Sequence, residues 1–192
     1  MLKPVAILAV AVGCGSSEKP AQTPARPACP RGGASVHVDE EAAALAGCKR
    51  IDGDLVVGPS FAMTSAAALG SIEEVTGSFE VSSNAALAGL YMGGLRRVGG
   101  GVTIDSNLSA ETISLHHLVE VGGDLVVREN RSLLRLDLSA LKTVGGRLEV
   151  SDHPLLDSVS LDALASAGDL AIDGNPAWST EQIAAVRSRL KR

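Results

Sequence analysis

Apolar and polar positions alternate in short bursts along this chain, and the bursts recur. Residues 51–57 read IDGDLVV, and the same shape returns as VTGSFEV from Val75, VGGGVTI from Val98, VGGDLVV from Val121, VGGRLEV from Val144 and SAGDLAI from Ser166. Measured between the shared glycines, Gly53, Gly77, Gly100, Gly123, Gly146 and Gly168, subtraction gives steps of 24, 23, 23, 23 and 22 residues. Within each copy the apolar residues sit two apart, as in Leu125 and Val127 or Leu148 and Val150, the period of a strand with one buried face. A constant period over five steps predicts a solenoid, in which each repeat is one coil that buries its apolar edge only against the coils above and below. Hairpin turns of an antiparallel protein would also use Gly–Gly and Asn, but they impose no fixed period.

After the strand the apolar spacing loosens to Leu87, Leu90, Met92, Leu95 and Val98 in one coil, and to Leu133, Leu136, Leu138, Leu141 and Val144 two coils on. The LxL pairs predict a second short strand, so the expected coil has two strands and two bends. Seven residues after each shared glycine stands a polar side chain: Ser60, Asn84, Asn107, Asn130, His153 and Asn175. Turned inward at a bend, such a ladder can bond backbone groups that the sheets leave unpaired. The shared glycine is expected to supply either a backbone conformation closed to other residues or close approach between coils.

Leu45–Ala46–Gly47–Cys48 before IDGDLVV, followed by the VGGxLxVxxN units, resembles the receptor L-domain family over about residues 29–192. The resemblance implies a leucine-rich, right-handed parallel β-helix of about six coils, as in bacterial envelope lipoproteins of this type. It is specific for the fold and nearly silent on the ligand. Two positions depart from the pattern: His153 stands where the ladder has asparagine, and the last coil is one residue short.

The open ends of a solenoid need caps. Ser179–Thr180–Glu181–Gln182 forms a capping box, and the helix it starts, residues 179–192, carries Ile183, Val186 and Leu190 on one face above Trp178. Its basic end, Arg187, Arg189, Lys191 and Arg192, suits the negative end of the helix dipole. At the other end, counting back five residues from each glycine gives Cys48, Ile72, Leu95, Leu118 and Leu141, so Cys48 is an inward position. A disulfide to Cys29 would draw the incoming segment across the bottom of the core.

Met1–Leu2–Lys3, the apolar run Val5–Val12 and Gly13–Cys14 read as a secretory signal over residues 1–13. The run is too short to span a bilayer, and Ala11–Val12–Gly13–Cys14 resembles a bacterial lipobox. That resemblance implies cleavage before Cys14, a diacyl lipid on its thiol, N-acylation such as palmitate on the new N-terminus, and anchorage in the bacterial envelope, in the outer membrane. Residues 14–33, rich in Pro, Ala, Ser and Gly, read as a tether, and 34–178 as the solenoid. The formal charge of −5 becomes −6 once Lys3 leaves with the signal, a balance with no nucleic-acid footprint.

No GxSxG, HExxH or P-loop context surrounds the serines, histidines or carboxylates, and no metal ligand set or cofactor is expected. His116–His117 read as a solvated bend. Arg128 and Glu149, on adjacent coils, leave open a polysaccharide-acting hydrolase or lyase, or simply a cross-strand ion pair. A non-catalytic binding module is the leading expectation, with a structural envelope spacer as its rival. On the first sheet the outward positions are Glu80, Thr103, Val126, Glu149 and Ala171. On the second they are Tyr91, Ser114, Asp137 and Ser160, the candidate binding face for a protein or glycan, on a chain expected to be monomeric. Few aromatics argue against sugar stacking.

Overall fold

The structure is a computed structural model that describes residues 29–190. The chain winds as a parallel β-solenoid of about six coils with a helix, α2 (Thr180–Leu190), at its C-terminal end. The long row of strands runs Ala34–Val36, Leu55–Val57, Phe79–Ser82, Val102–Asp105, Leu125–Arg128, Thr143–Ser151 and Ser166–Asp173, every pair parallel. A second sheet stacks Gly89–Tyr91, Thr112–Ser114, Arg135–Asp137 and Ser158–Ser160, also in parallel register.

The three middle coils, those of Glu74–Tyr91, Arg97–Ser114 and Glu120–Asp137, have three strands each where the sequence pattern predicts two. The additional pieces are two residues long, Arg50–Ile51, Glu74–Val75, Arg97–Val98 and Glu120–Val121, and they stack into a third row that joins the first through Thr143–Ser151. A two-residue strand shows one inward apolar residue, Ile51 or a valine, and no periodicity. Its outward column alternates in charge, Arg50, Glu74, Arg97 and Glu120, with ion pairs between Arg50 and Glu74 and between Arg97 and Glu120 at 3.2 Å. The first two coils also depart on the second side, where α1 (Asp39–Ala44) and a 3-10 turn (Ala67–Ser71) replace strands.

The core is a set of like-on-like columns: Ile51, Val75, Val98, Val121 and Val144; Leu55, Phe79, Val102, Leu125 and Leu148; Val57, Val81, Ile104, Val127 and Val150, all buried. Fully burying each such side chain is worth about 1.5–3 kcal/mol, and only stacking achieves it. Cys48, Ile72, Leu95, Leu118 and Leu141 are likewise fully buried. Cys29 and Cys48 form a disulfide with Cα atoms 5.6 Å apart, closing the bottom of the stack. Arg31 already pairs with Asp52, so stacking starts ahead of residue 34. At the top, Ser179 N–H donates to Gln182 Oε1 at 2.8 Å and Gln182 N–H donates to Ser179 Oγ at 3.3 Å, closing the capping box. Trp178 and Val186 are buried against the last coil, with Ile183 and Leu190 partly covered.

Of the two roles open to the shared glycines, close approach is the general one. Only Gly53 of the six has positive φ, at 115°. The neighbouring glycines show the reason: a Cβ on Gly122 would strike the carbonyl oxygen of Gly99 one coil below, and one on Gly145 would strike that of Gly122. Left-handed backbone falls instead on the residue before every ladder position but Ser60: Ser83 (φ 56°), Ser106 (55°), Glu129 (54°), Asp152 (61°) and Gly174 (64°).

Candidate binding face on the second sheet

The inward ladder that fixes the coils is built as one continuous hydrogen-bond chain. Asn84, Asn107, Asn130 and His153 are 1% exposed or less, and Ser60 and Asn175 are buried too. Asn84 N–H donates to Asn107 Oδ1 at 3.3 Å, Asn107 N–H to Asn130 Oδ1 at 3.0 Å, Asn130 N–H to His153 Nδ1 at 3.3 Å and His153 N–H to Asn175 Oδ1 at 3.1 Å. Each side chain also donates to a strand carbonyl, Asn107 Nδ2 to Val81 O at 2.9 Å and Asn130 Nδ2 to Ile104 O at 2.9 Å. The chain stops at Ser60, whose hydroxyl bonds His37 O and whose N–H bonds Ser83 O, leaving Asn84 Oδ1 buried without a partner.

With the coils held at this spacing, outward residues line up across strands about 4.8 Å apart. Tyr91, Ser114, Asp137 and Ser160 occupy one register column of the second sheet. Tyr91 is 54% exposed while the other three are half-buried. Its ring leans back along its own strand over Gly89, where a Cβ would come within 2.8 Å of Tyr91 Cε2. The parallel column is Gly89, Thr112, Arg135 and Ser158, with Arg135 Nη2 donating to Thr112 Oγ1 at 3.3 Å. Asp137 Oδ1 accepts the N–H of Ser139 at 3.0 Å, which fixes the carboxylate on its bend.

His116 and His117 occupy the turn after the strand that ends at Ser114, the solvated bend expected from the sequence, with His116 half-buried and His117 exposed. His116 Nδ1 lies 3.0 Å from Ser114 Oγ, His117 Nδ1 lies 2.5 Å from Gly93 O, and the two rings are 4.2 Å apart. The strand ends at Ser114, and the turn that follows brings His116 back beside the Ser114 hydroxyl.

On the first sheet Glu80, Thr103, Val126, Glu149 and Ala171 also form one column. There the charged groups are engaged within the sheet: Ser82 Oγ donates to Glu80 Oε1 at 2.7 Å, Ser151 Oγ to Glu149 Oε1 at 3.1 Å, and Arg128 pairs with Asp105 at 3.4 Å. Arg128 and Glu149, the pair considered for polysaccharide chemistry, are thus held by different partners, Glu149 by Arg147 at 3.5 Å. Concave sites lie along the seam between α2 and the last coil around Ile172, Asn175 and Ile183, beside α1 around Ala34 and Leu45, and on the bend of Glu129, Arg131 and Asp152.

Among the described residues no group of three or more His, Cys, Asp or Glu is placed to hold a metal, and no helix is long and apolar enough to cross a membrane. Cys14, the expected acylation site, lies outside the described residues, as do residues 1–13.

The fold defines the class, a parallel β-solenoid closed by a disulfide at one end and a helix at the other. No family model, curated protein or solved structure matches the chain.

Proposed function

We propose that this chain is a recognition module of a bacterial cell envelope, receptor L-domain-like, anchored to the outer membrane through acylated Cys14 and free of catalytic activity. Its partner, a protein or a glycan, is held on the second sheet by Tyr91, Ser114, Asp137 and Ser160, extended by His116 and Arg135. The observation that carries this reading is Tyr91: an aromatic residue 54% exposed, at the head of an in-register polar column. Interface energy concentrates on such anchors. The apolar run before Ala11–Val12–Gly13–Cys14 supports the anchor.

The test is capture of partners from native envelope extract with the domain starting at Cys29, repeated with Tyr91→Ala and Glu80→Ala. Tyr91→Ala is expected to weaken binding by more than about 1 kcal/mol at an unchanged melting temperature, and Glu80→Ala to leave it intact. The opposite pattern moves the face to the first sheet. The self-paired charges of the first sheet favour the rival reading, a structural spacer, if neither variant has an effect. Mass spectrometry of membrane-extracted protein checks the anchor: a chain retaining residues 1–13, or unmodified Cys14, refutes it.

A further inference from the structure

His153 replaces an asparagine in the ladder without breaking it, and the way it does so restricts its chemistry. In the coil below, Asn130 accepts Asn107 N–H on Oδ1 and donates from Nδ2 to Ile104 O. His153 repeats both bonds with its ring: Nδ1 lies 3.3 Å from Asn130 N, and Nε2 lies 3.1 Å from Val127 O. A carbonyl oxygen can only accept, so Nε2 carries a proton. A backbone N–H can only donate, so Nδ1 is bare. The neutral imidazole with hydrogen on Nε2 is therefore the one form that imitates the carboxamide.

A second proton has no comparable place. Nδ1–H would turn toward Asn130 O at 3.4 Å, a long contact, and Asn130 N–H would lose its acceptor inside the core. The ring is fully buried, and a buried imidazolium without a carboxylate partner is costly. The charged side chains around it come from three coils: Asp152 on its own bend, Arg128, Glu129 and Arg131 below, and Asp173 above. None of them bonds the ring.

We propose that His153 is an acid-sensitive joint: protonation uncouples the coil that begins at His153, with Ser160 and α2, from the coil of Asn130. Burial holds the His153 imidazole below its ordinary value, opposed by its bonds to Val127 O and Asn130 O and by the nearby Asp152. The sign follows. The unfolded chain takes up a proton near the ordinary value of about 6.5 while the folded chain resists it. The stabilisation is whole above that value and is lost as pH falls from there toward the folded value.

The experiment compares the full chain with His153→Asn, which restores the ladder's own residue, by urea unfolding and amide hydrogen exchange between pH 7.5 and 5. In the window between the two values the folding equilibrium constant of the natural chain should fall relative to the variant by up to about tenfold per pH unit. Exchange should rise first after residue 153. Because His37, His116 and His117 are common to both chains, the difference isolates His153. Parallel pH profiles overturn the proposal. A second readout needs no variant: imidazole nitrogen shifts should show hydrogen on Nε2 at pH 7.5 and titration below the ordinary histidine value. Hydrogen on Nδ1, or titration at or above that value, also overturns it.

Discussion

Asn107→Ala tests the ladder where it is complete on both sides. The side chain donates from Nδ2 to Val81 O at 2.9 Å, Asp105 O at 3.2 Å and Asn130 Oδ1 at 3.1 Å, and its Oδ1 accepts Asn84 N–H at 3.3 Å and Asn84 Nδ2 at 2.9 Å. Truncation strips buried Asn84 N–H and Val81 O of these partners, while Asn130 Oδ1 keeps the Asn107 N–H. Two buried groups losing partners at about 1–3 kcal/mol each, less some relaxation, give a loss of about 2–5 kcal/mol. Asn84→Ala is the internal control. Its Oδ1 accepts nothing, and Ser60 N–H already bonds Ser83 O. That variant removes donors to Val57 O, Ser82 O and Asn107 Oδ1, the last of which keeps Asn84 N–H, and leaves no ladder N–H behind, so its expected loss is smaller, about 1–2 kcal/mol. Urea unfolding read at an unchanged m-value measures both, with half-exposed Thr103→Ser as the surface reference within about 0.5 kcal/mol. Equal losses for the two asparagines, or losses no larger than the surface exchange, would refute the hydrogen-bond account.

Reduction of Cys29–Cys48, or Cys29→Ala, should lower stability by roughly 3 kcal/mol, since the bond closes a loop with a sequence separation of 19; an unchanged unfolding midpoint under reductant would contradict the sealing role. Glu129→Gly should raise stability by about 0.5–1 kcal/mol, because relief of the left-handed backbone exceeds the added freedom of the unfolded chain. A lower melting temperature for that variant would show that the Glu129 side chain contributes contacts that outweigh its backbone cost.

Features repeated at the solenoid period were legible before any coordinates. The inward placement of Cys48 follows from Ile72, Leu95, Leu118 and Leu141, because one coil's environment is the next coil's environment. The ladder positions and the Ser179–Gln182 box are legible for the same reason: residue type and spacing together specify a bond. What escaped was whatever the period does not encode. A two-residue strand such as Glu74–Val75 has no alternation to display. The second-sheet positions of the first two coils carry a helix and a 3-10 turn, in stretches rich in alanine, DEEAAA and AALGS. Left-handed backbone falls on Ser83, Ser106 and Glu129, residue types that do not mark it, as well as on Asp152 and Gly174, which suit it, because the inward side chain that follows dictates the turn. His116 meets Ser114 through a bend whose course only the stacked coils determine.

The same architecture limits where recognition can act. Inward positions are bound by neighbours on two sides, whereas an outward column is free to differ at each coil, as Tyr91, Ser114, Asp137 and Ser160 do. The second sheet exists only where α1 and the 3-10 turn give way to strands, so its column spans three strand spacings, about 14 Å. Tyr91 stands at the lower limit of that span and Ser160 at the upper, beyond the His153 joint. A partner seated on the whole column would therefore be held at the Tyr91 end by coils whose ladder contains only carboxamides and a serine, insensitive to mild acid. At the Ser160 end it would rest on a coil attached through an imidazole. Acidification should shorten the contact from the Ser160 end and leave the aromatic anchor in place, which separates loss of the upper contact from loss of the fold. Tyr91→Ala and acid should then weaken binding additively in the natural chain. In His153→Asn the acid contribution should disappear while the Tyr91 contribution remains; acid weakening that persists in that variant would place the sensitive group on the partner or on His116 and His117.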